Sequence, residues 1–270
     1  MRKVMLITGA SSGIGKVAAQ HMNKLGWKVY ATARRVDKMQ DLQKQGCEVL
    51  AMDVTQDDTM VAGINEILQK EGKIDALINN AGYGSYGSLE DVPIDEGRYQ
   101  FEVNVIGLAR LTQLVLPHMR GAKAGRIINI SSIGGKFGEP HGAWYHGTKW
   151  AVEGMSDSLR MELKQFGIDV VVIEPGAINS EWSGIAQTKL LETSGDTAYG
   201  NLARKHVNML KKYDGQGSDP IVIAKAIEKA CEASKPKTRY VVGKGSSMFL
   251  TVKKLLSDRG FDKMMLNQMK

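Results

Sequence analysis

The stretch V-M-L-I-T-G-A-S-S-G-I-G-K, residues 4–16, runs from an apolar, strand-like segment straight into a glycine-rich turn. Gly9, Gly13 and Gly15 supply three positions without a side chain, and an amphipathic pattern begins directly after them. Glycine permits the sharp turn, lets the backbone approach a pyrophosphate, and lets the next helix pack on the strand. A helix that opens there aims free N–H groups and the positive end of its dipole at phosphates. The spacing, G-x-x-x-G-x-G, differs from the commoner G-x-G-x-x-G. Its placement, after a first strand and before a first helix, is that of a dinucleotide site. Gly9, Ser11, Ser12, Gly13, Ile14 and Gly15 are the candidate cofactor contacts.

Outward from that turn, apolar runs alternate with amphipathic ones. Strand candidates are 4–8, 28–33, 48–53, 76–79, 126–131, 170–174 and 239–242. Most are continuous apolar runs, as a parallel sheet covered on both faces requires. Helical patterns cover 16–25, 58–70, 97–119, 145–166 and 220–233, with Gly26 and Gly167 as stop signals. The alternation predicts an α/β fold: a single Rossmann-type, doubly wound parallel sheet of about seven strands with right-handed crossovers. One domain spans 1–270. Two segments depart from the rhythm. Residues 176–217 hold no strand pattern and read as a helical substrate-loop insert carrying Trp182, Ile185, Leu190, Leu191 and Tyr199. Residues 244–270 form a C-terminal extension; its Met264, Met265 and Met269 suit an interface, a pocket cover or a frayed end.

The end of the second strand separates NAD from NADP. An acidic residue there would bond the ribose hydroxyls of NAD. The strand instead ends A-T-A-R-R, residues 31–35, with Ala33 at the acidic position. Arg34, or Arg35 if the register shifts by one, is placed to clamp the additional phosphate of NADP. NADP(H) is therefore expected over NAD(H).

The 270 residues are 43% hydrophobic and 24% charged, ample for one large α/β domain. Cys47 and Cys231 lie in apolar or helical patterns and read as buried thiols, not a disulfide framework. The five histidines and two cysteines show no metal-ligand spacing. A net charge of +7 and a pI of about 9.2 raise nucleic acid as a partner, but the lysines are interleaved with acids. The charge suits an anionic cofactor, and no nucleic-acid partner is expected. The opening M-R-K-V-M-L-I-T-G has too short an apolar run for a leader, and no run reaches a membrane span. A cytoplasmic protein without a membrane partner is the expectation.

Further along, A-W-Y-H-G-T-K-W, residues 143–150, sets Tyr145 and Lys149 four residues apart, on one face of any helix. Alone the pair is weak, since it arises by chance in roughly half of chains this long. As packing it would contribute a few tenths of a kcal/mol. As chemistry, the ammonium would favour a phenolate. A free phenol has a pKa near 10, so proton transfer near pH 7 requires a shift of about three units, roughly 4 kcal/mol.

The remaining motifs decide between these readings. T-G-A-S-S-G-I-G (8–15), D-V (53–54), N-N-A-G (79–82), N-V-I-G (104–107), I-N-I-S-S (128–132), Y-H-G-T-K (145–149) and P-G-A-I-N-S (175–180) occur in this order. With them, nearly the whole chain resembles the short-chain dehydrogenase/reductase family. The resemblance implies strand order 3-2-1-4-5-6-7 and a catalytic tetrad of Asn104, Ser132, Tyr145 and Lys149. Ser132 is taken over Ser131 because it stands thirteen residues before Tyr145. In the implied roles, Tyr145 donates a proton to the developing alkoxide and Ser132 holds the carbonyl oxygen. Lys149 bonds the nicotinamide ribose, and Asn104 positions a relay water. Positive charge from Lys149 and from the oxidised cofactor would lower the Tyr145 pKa. Asp53 and Val54 are implied at the adenine, Asn80, Ala81 and Gly82 at the ribose, and Pro175, Gly176, Ile178 and Ser180 around the nicotinamide. Asn80 also reads as a brace of the sheet. Ser180 stands where the family often has threonine, and Gly147 where it more often has alanine or serine.

A narrower resemblance is to the 17β-hydroxysteroid dehydrogenase-like branch. It is carried by S-I-G-G-K-F-G-E-P-H-G-A-W-Y, by R-Y-V-V-G and by L-L-S-D-R-G-F-D. It implies a small apolar ketone, aldehyde or secondary alcohol as substrate. Tyr83, Tyr86, Phe137, His141 and Trp182 are candidate pocket residues, each readable also as packing or surface. His141 suits loop surface or a polar contact to substrate. Two other functions stand beside the leading one. A 3-ketoacyl-carrier-protein-type reductase would present a basic patch at the site mouth, with Arg120, Lys123 and Arg126 as candidates. A non-catalytic NADP(H) sensor would have no need of the tetrad. The family resemblance further implies a homodimer or homotetramer built on helices 97–119 and 145–166.

Overall fold

The computed structural model describes residues 2–180 and 182–270. Seven parallel strands form one sheet: β1 (Val4–Thr8), β2 (Lys28–Ala33), β3 (Glu48–Ala51), β4 (Ala76–Asn79), β5 (Gly125–Ile130), β6 (Ile168–Pro175) and β7 (Arg239–Val242). Their spatial order is β3-β2-β1-β4-β5-β6-β7, as the family resemblance implied. The helices are α1 (Gly13–Lys24), α2 (Gln40–Lys44), α3 (Asp57–Glu71), α4 (Ile94–Phe101), α5 (Gly107–Ala122), α6 (Ala143–Leu163), α7 (Trp182–Ser194), α8 (Gly200–Tyr213), α9 (Ile221–Glu232), α10 (Ser246–Leu255) and α11 (Asp258–Gln268).

Both faces of the sheet are covered, which is why its strands read as unbroken apolar runs. Along β1, Met5 and Ile7 enter the layer shared with Ala18 and Met22 of α1 and Ile223 and Ile227 of α9. Val4 and Leu6 enter the opposite layer, with Ile64 and Ile67 of α3 and Leu111 and Val115 of α5. All four strand residues are at most 1% exposed. Each such side chain contributes about 1.5–3 kcal/mol by leaving water. The strand order reverses between β1 and β4, which opens a crevice at the carboxyl ends of these strands. The glycine turn follows β1 at that end, and Ser132 follows β5.

Several boundaries differ from the sequence expectation, each for a local reason. The pattern over 97–119 is two helices, α4 and α5, with a π-helical turn, Glu102–Ile106, wound between them. Pro117 lies inside α5, which continues to Ala122. β3 ends at Ala51 rather than at 53. The Asp53 amide donates to Thr59 Oγ1 (3.0 Å), and its carboxylate accepts from the Thr55 amide (3.0 Å) and hydroxyl (2.8 Å). Such side-chain bonds draw the backbone out of a ladder. The insert is α7 and α8, tied back by an isolated parallel bridge between Ile178 and Ser218. The C-terminal extension is not frayed: Phe261, Met265 and Met269 are at most 5% exposed. Both cysteines are buried. No helix among the described residues is long and apolar enough to cross a membrane.

Candidate active site

The turn after β1 has no room for side chains. A Cβ on Gly15 would stand 2.5 Å from the Gly9 carbonyl oxygen, and Gly9 itself has φ +69°. Asn80 braces the turn. Its Nδ2 donates to the Thr8 carbonyl at 2.9 Å, while the Asn80 and Ala81 amides both donate to Thr8 Oγ1 at 3.0 Å. α1 opens at Gly13 without a side-chain cap. Its first N–H groups are therefore left for an anion, and the cradle fits a pyrophosphate. Ser180 faces this turn, since a Cβ on Gly13 would lie 3.8 Å from Ser180 Cβ. At the end of β2, Arg34 Nη1 donates to Tyr99 OH of α4 (2.9 Å), and Arg35 Nη2 donates to Ser11 Oγ (3.4 Å). Arg35, the second choice from the sequence, is thus the one that reaches the glycine turn. Val54 abuts α5, whose Gly107 would place a Cβ against the Val54 carbonyl.

Tyr145 and Lys149 share one face of α6, with Nζ 5.9 Å from the phenol ring centre. Lys149 is 8% exposed, and Nζ donates to the Ile130 carbonyl at 3.0 Å. Burial draws its pKa down to about 8, against the pull of Glu153. Burial likewise pushes Tyr145 up to about 12; the Ser132 hydroxyl beside it works in the other direction, and the Glu139 charge adds to the rise. The expected acidification of the phenol is therefore not a property of the protein alone. Charge was visible in the sequence, but desolvation of both groups outweighs it.

Ser132 Oγ accepts from the Gly134 amide at 3.0 Å and donates to the Pro175 carbonyl at 3.4 Å. Asn104 sits in the π-helical turn. Its Oδ1 accepts from the Tyr83 amide (3.0 Å), and its Nδ2 donates to the Tyr83 carbonyl (2.9 Å) and Thr148 Oγ1 (3.0 Å). The turn thereby aims one side chain across to clamp the loop after β4 onto α6, a use typical of π-bulges. A Cβ on Gly82 would be 3.1 Å from Asn104 Oδ1 and 3.8 Å from Lys149 Nζ. Ser132, Tyr145 and Lys149 converge, and Asn104 stands beside Lys149 across Gly82.

The substrate-side residues divide. Tyr86, Trp182 and Tyr145 form a ring triangle with centres 5.9, 5.5 and 5.3 Å apart. Ala186 and Leu190 of α7 and Ala203 and Val207 of α8 back it. Tyr83 stands outside, its hydroxyl donating to Glu96 (3.3 Å) and its ring packed on Tyr99. Phe137 packs on Phe249 and Phe261 of the C-terminal extension. His141 is not on the loop surface: it is 6% exposed, at φ +64°, with Nδ1 3.0 Å from Nδ1 of His206 in α8. Burial lowers its pKa to about 4, and His206 adds to the fall. The basic patch considered for a carrier protein does not face the site. Arg126 stands at the start of β5, opposite Ser132, and donates to the Ala230 carbonyl at 2.7 Å.

Residues 3–189 match the profile of a family described as short chain dehydrogenase. The chain belongs to that family. This short-chain dehydrogenase is 35% identical over 241 residues to 3-ketodihydrosphingosine reductase of Bacteroides thetaiotaomicron, covering 89% of this chain and 88% of that protein. It is 33% identical over 274 residues to NADPH-dependent 3-dehydrocapnine reductase of Ornithobacterium rhinotracheale, covering 98% and 96%. A solved short-chain dehydrogenase from Streptomyces avermitilis superposes with a TM-score of 0.82 at 33% identity, covering 94% of this chain and 93% of that one. Other solved neighbours, 27–28% identical with TM-scores of 0.70 to 0.75, are complexed with NADP or NADH.

Three features of this short-chain dehydrogenase escaped the sequence reading. Asn79, the first residue of N-N-A-G, donates to Asn129 Oδ1 (2.9 Å) and Thr112 Oγ1 (3.1 Å), and Asn129 donates to Ser156 Oγ (2.9 Å). This buried ladder joins β4, β5, α5 and α6. Its signal was available: two asparagines inside apolar strand runs need buried partners. Glu139 accepts from Tyr86 OH at 2.8 Å, and His206 meets His141. Neither pairing leaves a local mark in the sequence.

Proposed function

We propose that the chain is an NADP(H)-dependent carbonyl reductase acting on a ketone of an apolar small molecule, with Tyr145 as proton donor. The observation that carries this reading is the meeting of Ser132, Tyr145 and Lys149 beneath the Tyr86–Trp182 wall. The glycine turn and the α1 amides would hold the pyrophosphate, and Arg34 and Arg35 the additional phosphate. Asn80, Ala81, Gly82 and Lys149 would hold the nicotinamide ribose. Asp53 and Val54 would border the adenine, and Pro175, Gly176, Ile178 and Ser180 the nicotinamide. When bound, NADPH supplies a hydride to the carbonyl carbon.

The chain's own residues do the rest. Ser132 Oγ donates a hydrogen bond to the carbonyl oxygen, where negative charge develops. Tyr145 then gives its proton to that oxygen. A phenol that burial keeps protonated is in the correct state to donate. Lys149, one helical turn away, stabilises the charge left on the phenol, and Asn104 stands where a water would reach Lys149. The ring triangle excludes bulk water. A ketone substrate is supported by two relatives named for reducing a 3-keto and a 3-dehydro compound. The apolar backing from α7 and α8 and the resemblance to the 17β-hydroxysteroid dehydrogenase-like branch favour an apolar body. Ala33 in place of an acid, with two arginines after it, favours NADPH, as does the NADPH dependence of one relative.

The test is oxidation of NADPH and NADH by the purified protein across ketones, aldehydes, steroids and acyl thioesters, with Tyr145→Phe alongside. Tyrosine-dependent turnover of ketones, faster with NADPH, is expected. Turnover that survives Tyr145→Phe would overturn the assignment. Turnover confined to carrier-bound thioesters would favour the acyl-carrier reading, and tight cofactor binding without turnover the sensor.

A further inference from the structure

A cavity of about 680 Å³ lies between α6 and the α10–α11 pair, and neither Tyr145, Lys149 nor the glycine turn lines it. Phe137, Trp150, Phe261, Met265 and Leu266 make its walls, and Glu139 and His146 its polar end. A volume of this size matches sites that enclose small molecules.

The polar end is incomplete in one specific way. His146 Nδ1 lies 2.7 Å from the Gly134 carbonyl oxygen, which only accepts, so Nδ1 carries a proton, and in the neutral ring Nε2 presents a lone pair. His146 is 5% exposed, and its Nε2 is buried without a partner. Glu139 Oε1 stands 3.7 Å from that nitrogen and accepts from Tyr86 OH. Among the described residues no lysine or arginine pairs with Glu139. With the ring neutral, two acceptors, one of them anionic, face each other across 3.7 Å. The ammonium groups at the rim are already engaged: Lys136 with Glu153 (2.6 Å) and Glu174 (3.3 Å), and Lys253 with Asp258 (3.0 Å). Asp262 adds a further carboxylate to the lining. A bare buried acceptor beside a carboxylate is destabilising unless a donor arrives. An alcohol brings one donor and a carboxylate none. A primary ammonium brings three, together with the opposite charge.

We propose that this cavity is a second ligand site, apart from the reaction site, for a cationic amphiphile. A primary ammonium head sits between Glu139 and His146, and an alkyl chain runs along Phe137, Trp150, Phe261, Met265 and Leu266. Tyr86 links the two sites, since it bonds Glu139 and packs on the Tyr145 ring.

The experiment is calorimetric titration of the full chain near neutral pH with n-octylammonium, n-octanol and n-octanoate, each below its micelle concentration. Octylammonium should bind about tenfold tighter than octanol, with octanoate weakest. Glu139→Gln keeps an acceptor for Tyr86 and removes the charge, so it should bring octylammonium to within about threefold of octanol. Leu266→Trp, at a residue 46% exposed on the cavity wall, should fill the chain end and weaken octylammonium and octanol alike, by about fivefold or more. Equal affinity for the three probes, or an ammonium preference that survives Glu139→Gln, overturns the proposed chemistry. Binding that ignores Leu266→Trp overturns the location.

Discussion

On the glycine-turn side of Tyr145, contact is made against backbone: Gly15 against the Gly9 carbonyl, the Asn80 side-chain amide against the Thr8 carbonyl. On the insert side, contact is side chain on side chain: Trp182 and Tyr86 on Tyr145, His206 of α8 on His141. A backbone clash has no rotamer to relieve it, whereas packed rings can be exchanged and repacked with modest loss. The first wall therefore suits a ligand of fixed shape, and the second a ligand whose shape can vary. Substitutions on the two walls should separate cofactor affinity from substrate range.

The largest effect should come from Tyr145→Phe, which removes the hydroxyl that both walls serve. Turnover should fall by about 1,000-fold while cofactor affinity stays within about twofold, by steady-state kinetics and fluorescence titration. Next, Gly15→Ala should weaken NADPH by about 30-fold or more at unchanged circular dichroism, because the added methyl meets backbone. A tolerated alanine would mean that the cradle is softer than its geometry. Arg34→Ala and Arg35→Ala should each weaken NADPH about tenfold relative to NADH, and the double variant more. Equal loss for both cofactors would put the phosphate clamp elsewhere. With pH, the Lys149 ammonium is present below a pKa of about 8 and lost above it. Reduction should therefore slow as pH rises through about 8, and a rate still rising there would remove Lys149 from the reaction. The smallest effect should be Trp182→Ala: a KM raised about three- to tenfold with cofactor affinity unchanged. A Trp182 variant that harms NADPH binding more than substrate binding would dissolve the division between the walls.

The two walls also differed in how legible they were. The glycine turn declares itself because its reason is local: three side-chain-free positions between one strand and one helix. A parallel sheet with right-handed crossovers follows from strand–helix alternation, while its order came only from the family resemblance. The missing acid at Ala33 was equally plain, but which arginine reaches the turn depends on a single residue of register. His141 was misplaced because its partner, His206, lies 65 residues away. Glu139 was passed over because Tyr86, which bonds it, lies 53 residues earlier. The Tyr145 pKa went the other way because charge can be counted along a chain and burial cannot.

The π-helical turn at Glu102–Ile106 has a consequence for chain length. Its wide turn takes up one more residue than an α-helical turn, so deleting one residue there would let the backbone close as an uninterrupted α-helix with everything downstream on nearly the same face. Leu111, Val115 and Met119 would stay against the sheet while Asn104 leaves Tyr83 and Thr148. A single-codon deletion would thus strike the reaction centre and spare the core.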